Sequence, residues 1–266
     1  MSEVRRYYDD NAQREWDRHT VRRIEHAVTM RVLDDHLPPT PARVLDVGGG
    51  PGRYAITLAA RGYDVTLADI SQPELELARE KASEAGVTLR DVVRTDARDL
   101  SRFPDVTFDA VLLMGPLYHL LEAADRSQAI AEAVRVLRPG GPIFAAFITR
   151  YAVLRWWARY DPARVSGDRA RYEPQLATGR VTDNFGFTDV YLVRPQGVLP
   201  AMEPYGLETV DLVGCEGAVS MIDDRLNTLE GDDWDWWVDV NYRLGRDAST
   251  HGTTEHLLYV GRKSAP

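Results

Sequence analysis

The chain has 266 residues, 44% hydrophobic and 27% charged, enough to bury a full core and sized for one α/β domain with insertions. Its formal net charge of −9 makes a field that repels phosphate polymers, so no nucleic-acid partner is expected. A single cysteine, Cys215, excludes an intrachain disulfide and a multi-cysteine metal site. The opening SEVRRYYDDNAQREWDRH lacks the apolar run of a signal peptide, and no stretch approaches the roughly 18 apolar residues of a membrane span. A cytoplasmic protein with no membrane partner is the expectation.

No fixed-period repeat or low-complexity tract interrupts the chain. Residues 4–37 place Trp16, Ile24, Val28 and Leu33 at helical spacing before PPTP at 38–41, which predicts an N-terminal helical cap over 1–37 and a main domain over 38–266. ARVLDV reads as a first strand, closed by Gly48, Gly49, Gly50, Pro51 and Gly52, with a helix running on to Arg61. DVTLAD is a second strand. Ser71 and Glu74 form a capping box for the next helix, whose Leu75, Ala78, Ala82 and Ala85 share a face. TLRDVVR, FDAVLLM and PIFAAFI supply strands three to five, with a helix carrying Ile130, Ala133, Val134 and Leu137 before the last of them. Strands alternating with helices imply a parallel, doubly wound sheet with right-handed crossovers.

After Thr149 the pattern loosens. RYAVLRWWARY looks helical, and a polar stretch punctuated by Gly and Pro follows, together predicting a lid over about 150–190. A helix near RPQGVLPAMEPYG and the strands LETVDLVG and EHLLYVGRK resume the core. An acidic, Trp-rich insertion at 216–252 separates those two strands.

The segment VLDVGGGPGRYA joins an apolar strand, Asp46 near its end, a glycine loop and a helix start. Glycines let backbone approach a ligand closely, and free helix N–H groups can meet a carboxylate or phosphate. Nicotinamide and flavin enzymes also place such a turn after their first strand, so this motif alone leaves a dinucleotide open. Asp69, about twenty residues on, can accept hydrogen bonds from both hydroxyls of a ribose, whether of NAD or of S-adenosylmethionine (SAM). Asp96 and Ala97 follow the third strand, where an acid and adjacent backbone can read an adenine edge. The alternative for Asp96 is a solvated helix cap.

Taken in order, VLDVGGGPG, VTLADIS, RTDARDL, FDAVLLMGPLYHL and VLRPGG resemble the class I SAM-dependent methyltransferases, in the branch that includes the ubiquinone and menaquinone enzymes. The resemblance covers roughly residues 40–149. It implies a seven-stranded Rossmann-like sheet of order 3-2-1-4-5-7-6 with the last strand antiparallel, although here an insertion stands where the family has a tight hairpin. It also implies that Asp46, Gly48, Gly49 and Gly50 shape the pocket for the methionine end of SAM, that Asp69 holds the ribose, that Ile70 packs on the adenine, and that Asp96 and Ala97 bind its edge. Met114 would lie beneath the sulfonium. Gly115, which also borders the cofactor, and Pro116, Leu117, Tyr118 and His119 would wall the acceptor side. Related enzymes fold an N-terminal tyrosine over SAM, a role open to Tyr7 or Tyr8, though these rings could equally anchor the helix. Arg22 and Arg23 could reach the SAM carboxylate or could face solvent.

The expected activity is methylation of an oxygen or nitrogen of a small acceptor, held in line with the methyl group while water is kept out. His119, with Tyr118 beside it, is the catalytic candidate, because an imidazole titrates near neutrality and follows strand four. A packing role for His119 is the alternative. MGPLYH offers no carboxylate for a cation, so no metal is expected. Trp156, Trp157, Tyr160, Phe185, Phe187, Tyr191, Trp234, Trp236 and Trp237 of the insertions offer aromatic surface for an apolar or planar acceptor, about half of them as lid core. Three rivals remain open at this level: a nicotinamide oxidoreductase, a SAM-binding cyclase, decarboxylase or non-catalytic module, and a methyltransferase of protein or RNA.

Overall fold

The computed structural model describes residues 3–182 and 187–265, apart from the side chains of residues 19–21. Phe185, expected to contribute to an aromatic lid, lies outside the described residues. Two N-terminal helices, α1 (Glu3–Val21) and α2 (Arg23–His36), precede β1 (Arg43–Val47), α3 (Arg53–Ala60), β2 (Asp64–Asp69), α4 (Gln72–Glu84), β3 (Asp91–Arg94) and β4 (Ala110–Leu113). Then come α5 (Pro116–His119), α6 (Ala123–Val136) and β5 (Pro142–Ile148). The first insertion is α7 (Arg150–Tyr160), α8 (Pro162–Gly167), α9 (Arg169–Thr178) and the paired short strands β6 (Arg180–Val181) and β7 (Val190–Tyr191). The chain ends with α10 (Val198–Met202), β8 (Leu207–Gly214), α11 (Gly231–Gly245) and β9 (His256–Lys263).

The main sheet runs β3-β2-β1-β4-β5-β9-β8. With the small β6/β7 pair set aside, this is the order that the resemblance implies. Strands β1 to β5 are parallel and β9 is antiparallel to both neighbours, with Ile148 opposite His256. Strands covered on both faces can be apolar throughout, and VLL of β4 and PIFA of β5 are buried at every one of those positions. Leu45, Val111, Leu113 and Ile143 pack on one face with Ile130 and Ala133 of α6. Val44, Leu112 and Phe144 pack on the other with Ile24 and Val28 of α2, Leu58 of α3, Leu75 of α4 and Tyr242 of α11.

The first insertion has more helix than its polar sequence suggests. Trp157 of α7 and Tyr172 of α9 close on Val181, Val190 and Leu192 as a separate buried cluster, and this apolar seam gives α9 a face to dock against. The predicted strand three shortens to Asp91–Arg94. The segment after β4, expected as a loop, makes one helical turn, α5, in which the Leu120 N–H returns to the Pro116 carbonyl at 3.1 Å. Among the described residues, no helix is long and apolar enough to cross a membrane.

Candidate active site

In parallel sheets ligands gather at the carboxyl ends of the strands, where the order reverses. There the loops after β1, β2, β3 and β4 open onto a cleft of about 310 Å³. Tyr8, Asp46, Gly48, Gly49, Gly50, Asp69, Ile70, Asp96, Ala97, Met114, Gly115, Tyr118 and His119 all line it, whereas Leu117, expected in the acceptor wall, is buried in the core beneath. The loops after β1 and β4 meet backbone to backbone. A Cβ at Gly115 would lie 2.7 Å from the Gly48 carbonyl oxygen, and one at Gly48, whose φ is +70°, would lie 2.6 Å from the Pro116 ring. Only glycines allow that approach.

Asp69 organises the loop: its carboxylate accepts the Gly50 N–H at 2.9 Å and the Ser71 N–H at 2.8 Å. Burial still pushes its pKa up. Asp46 is fully buried beneath the glycines with Oδ2 unpartnered, and burial together with Asp69 carries it to about 7. Asp96 accepts from the Arg98 guanidinium at 2.7 and 3.0 Å and from its backbone N–H at 2.9 Å, and these hydrogen bonds hold it below the usual carboxylate range.

His119 sits among rings. Tyr8 makes a 2.6 Å hydrogen bond to its Nε2, and Nδ1 lies 3.3 Å from the Asp189 carbonyl oxygen. A carbonyl only accepts, so this network assigns the proton to Nδ1 and leaves Nε2 to accept from the tyrosine hydroxyl. Burial lowers the imidazole to about 4. The Tyr118 hydroxyl turns back to the Met114 carbonyl at 3.0 Å, while its ring edges His119.

Beside the cleft, toward β5 and β9, lies a second cavity of about 500 Å³. Its walls include Ile148, Val153, Trp156, Phe187, Val190, Leu192 and Met221, and its polar end is formed by Arg22, Glu255 and His256. Glu15 and Arg18 of α1 line both spaces. Tyr8 and His119 face the cleft, Tyr7 and Phe187 face the cavity, and the four rings interlock at centroid distances of 5.2 to 5.5 Å.

Several expectations need correction. Arg22 pairs with Glu255, and Arg23 donates to the Asn227 and Leu229 carbonyls and stacks on Trp234 at 4.2 Å, so neither lines the cleft. Of the insertion aromatics, Trp156 and Phe187 line the cavity, whereas Trp157 is buried in the cluster between α7 and α9, Tyr160 and Trp236 are exposed, and Tyr191 stacks under Arg126. The apolar wall of the cavity is mainly aliphatic.

Three features escaped sequence reading. Arg18, ion-paired with Glu25 at 2.8 Å and Glu15 at 3.3 Å, is the cation between the two spaces. Glu74, read only as a cap, is fully buried in the cleft wall with both oxygens unpartnered, and burial, with Asp69 next, pushes it to about 9. Glu25, Glu216 and His256 have ligand atoms within 4.8 Å of one another. These are committed to protein partners: Glu216 bonds the His256 Nδ1 at 2.5 Å and the Thr254 hydroxyl at 2.7 Å, and Glu25 takes Arg18. No sequence spacing announces this network, because its members come from α1, α2, β9 and the second insertion.

With the geometry in view, residues 44–141 match the family described as "Methyltransferase domain". This region is similar to methyltransferase domains. The chain is 34% identical over 153 residues to a ubiquinone biosynthesis O-methyltransferase of Hahella chejuensis, covering 56% of this chain and 62% of the relative. It is 39% identical over 113 residues to a demethylmenaquinone methyltransferase of Thermus thermophilus, covering 42% and 49%. Its matches thus span about half to three-fifths of these relatives' length. A solved SAM-dependent methyltransferase of Methanosarcina mazei shares the fold with a TM-score of 0.62 at 18% identity, covering 88% of this chain and 98% of that one. The glycine loop, Asp46, Asp69 and Asp96 all fall inside the matched segment; Tyr8 and the second cavity's polar end lie outside it.

Proposed function

We propose that the protein uses SAM to methylate an oxygen or nitrogen of a small, largely apolar acceptor. The observation that carries this reading is the pairing of two abutting spaces, a glycine-lined cleft and an apolar cavity, which share Glu15 and Arg18 and meet beside the Tyr7, Tyr8, His119 and Phe187 rings. The small-molecule O-methyltransferase named among the relatives supports the reaction class. On this reading, residues 1–37 cap the cleft, and the insertions at about 150–190 and 216–252 enclose the acceptor. A cytoplasmic setting suits the single buried thiol of Cys215.

The cleft suits SAM, a molecule that carries an ammonium, a sulfonium and a carboxylate. Asp69, and Asp46 once ionised, would meet cationic groups, Glu74 adds a neutral carboxyl to the wall, and Arg18 and Arg53 are cations of the same lining for a carboxylate. Asp69 would take the ribose, Ile70 the adenine face, and Asp96 with Ala97 its edge. Bound there, SAM would supply a methyl group made electrophilic by the adjoining sulfonium.

For a hydroxyl acceptor, Tyr8 would accept the departing proton on its oxygen while its own proton passes to Nε2 of His119. The Nδ1–H bond to Asp189 fixes the tautomer that receives it. A base lowered to about 4 gives little driving force against an aliphatic alcohol, so the pair suits an acidic hydroxyl such as a phenol or enol. Tyr118 positions the β4 loop through its bond to Met114.

Calorimetric titration with SAM, S-adenosylhomocysteine and NAD tests the cofactor. Binding of both sulfur compounds and not NAD is expected; NAD binding alone would return the nicotinamide reading. Transfer of label from methyl-labelled SAM to a metabolite would then separate methylation from cyclase or decarboxylase chemistry.

A further inference from the structure

We infer that Glu255 is the recognition site for a hydrogen-bond donor, a second hydroxyl or an amine, at the end of the acceptor remote from the methylated atom. This rests on the function proposed above. Glu255 directly precedes β9 and is 5% exposed. One carboxylate oxygen takes the Arg22 guanidinium. The other, Oε1, is buried and has no hydrogen-bond partner. A buried acceptor left unpaired is costly, and more so on a charged group, so it marks a place where an incoming donor gains a full interaction without displacing one.

The position fits an acceptor. Glu255 lines the larger cavity, whose opposing walls are Ile148, Val153, Trp156, Val190 and Leu192. Two polar neighbours are engaged: His256 bonds Glu216 through Nδ1 at 2.5 Å, and Arg22 is held by Glu255 itself. An apolar body therefore meets, at this end, a buried carboxylate oxygen that still lacks a donor. The loop bearing His119 follows β4, and Glu255 precedes β9, which lies two strands away across β5. Strand spacing of about 4.8 Å places these strand ends roughly 10 Å apart. An acceptor methylated near Tyr8 and His119 and held at Glu255 is therefore about two aromatic rings long, with a polar group at each end.

Two probes of that length differ only in the second group: para,para′-biphenol and para-phenylphenol. Their affinities are measured calorimetrically, with and without S-adenosylhomocysteine, on the full chain. Biphenol is expected to bind about tenfold more tightly, the yield of one hydrogen bond to a charged group. In Glu255→Gln, Arg22 claims the amide oxygen and turns an N–H toward the cavity, so the preference should fall to less than about threefold. Equal affinity for the two phenols in the wild-type chain, binding of neither, or an undiminished preference in folded Glu255→Gln overturns the inference. The wild-type comparison stands even should the variant fail to fold. If SAM does not bind but the biphenol preference and its loss are seen, the cofactor reading falls and this one holds.

Discussion

His119 and Tyr8 lie 111 positions apart in the chain and 2.6 Å apart in the fold. An imidazole whose acceptor nitrogen is already occupied cannot take an acceptor proton directly, so the two side chains should act as a unit. Groups that act as a unit give non-additive losses. Tyr8→Phe and His119→Ala are each expected to lower turnover by about 10²-fold, within the range for a positioned base, and the double variant should lose little more. Fully multiplicative losses at saturating SAM would show independent roles, and wild-type turnover in His119→Ala would leave it only packing. Asp46 offers a different test. Burial and Asp69 hold it near 7 in the free cleft, and a bound cation favours the carboxylate. SAM binding should therefore release a proton around neutrality and tighten as pH rises from about 6 to 8. Titration near pH 7 in buffers of different ionisation enthalpy reads the release directly; equal heats, with proton uptake absent, would disconnect Asp46 from the ligand's charge.

At the scale of elements, the glycine loop and the β4 loop are mutually fitted. In Gly115→Ala the new Cβ would meet the Gly48 carbonyl at 2.7 Å, and neither backbone can yield without opening the cleft. A loss of about 1–3 kcal/mol is expected, seen as a lower urea midpoint, together with weaker SAM binding; an unchanged midpoint would mean that the loops slide apart freely. The elements that carry this fit were legible in sequence because apolar strands, glycine stops and capping residues are local signals: β1, β2, β5 and α4 fall within a residue or so of expectation. Ser71 caps α4 as expected, its hydroxyl accepting the Glu74 N–H at 3.4 Å. The Glu74 side chain instead lies unpartnered in the cleft wall, a choice made by tertiary packing and invisible to a capping pattern. Arg18 and Glu255 were missed for a similar reason. A charged residue on an amphipathic helix or at a strand end reads as solvated unless its distant partners are known, and those partners here come from other elements. The aromatic count of the insertions misled in the opposite direction, since composition cannot say which face of a helix meets a cavity.

At the scale of the whole molecule, one buried ion network ties the N-terminal helices to the last strand and the second insertion. His256 lies against Glu216 at 2.5 Å and Glu25 at 3.9 Å; Glu25 pairs with Arg18, and the adjacent Glu255 pairs with Arg22. Burial alone would lower the imidazole, but Glu25 and Glu216 outweigh it and raise His256 from 6.5 to about 9. A group whose folded pKa exceeds its unfolded value stabilises the fold fully below the unfolded pKa, and that contribution is lost as pH rises through the folded one. The window here runs from about 6.5 to about 9. His26 and His119 are lowered to about 4 and act in the opposite direction, costing stability as pH falls below 6.5, so total stability mixes the two. Subtracting a His256→Gln variant isolates the network. The wild-type protein should melt several degrees above the variant at pH 6, the gap should close steadily toward pH 9.5, and the variant's own curve should be flatter across that range. Parallel melting curves from pH 6 to 9.5 would mean that His256 carries no extra proton in the folded state, and the network would then be held by hydrogen bonds without the imidazolium charge.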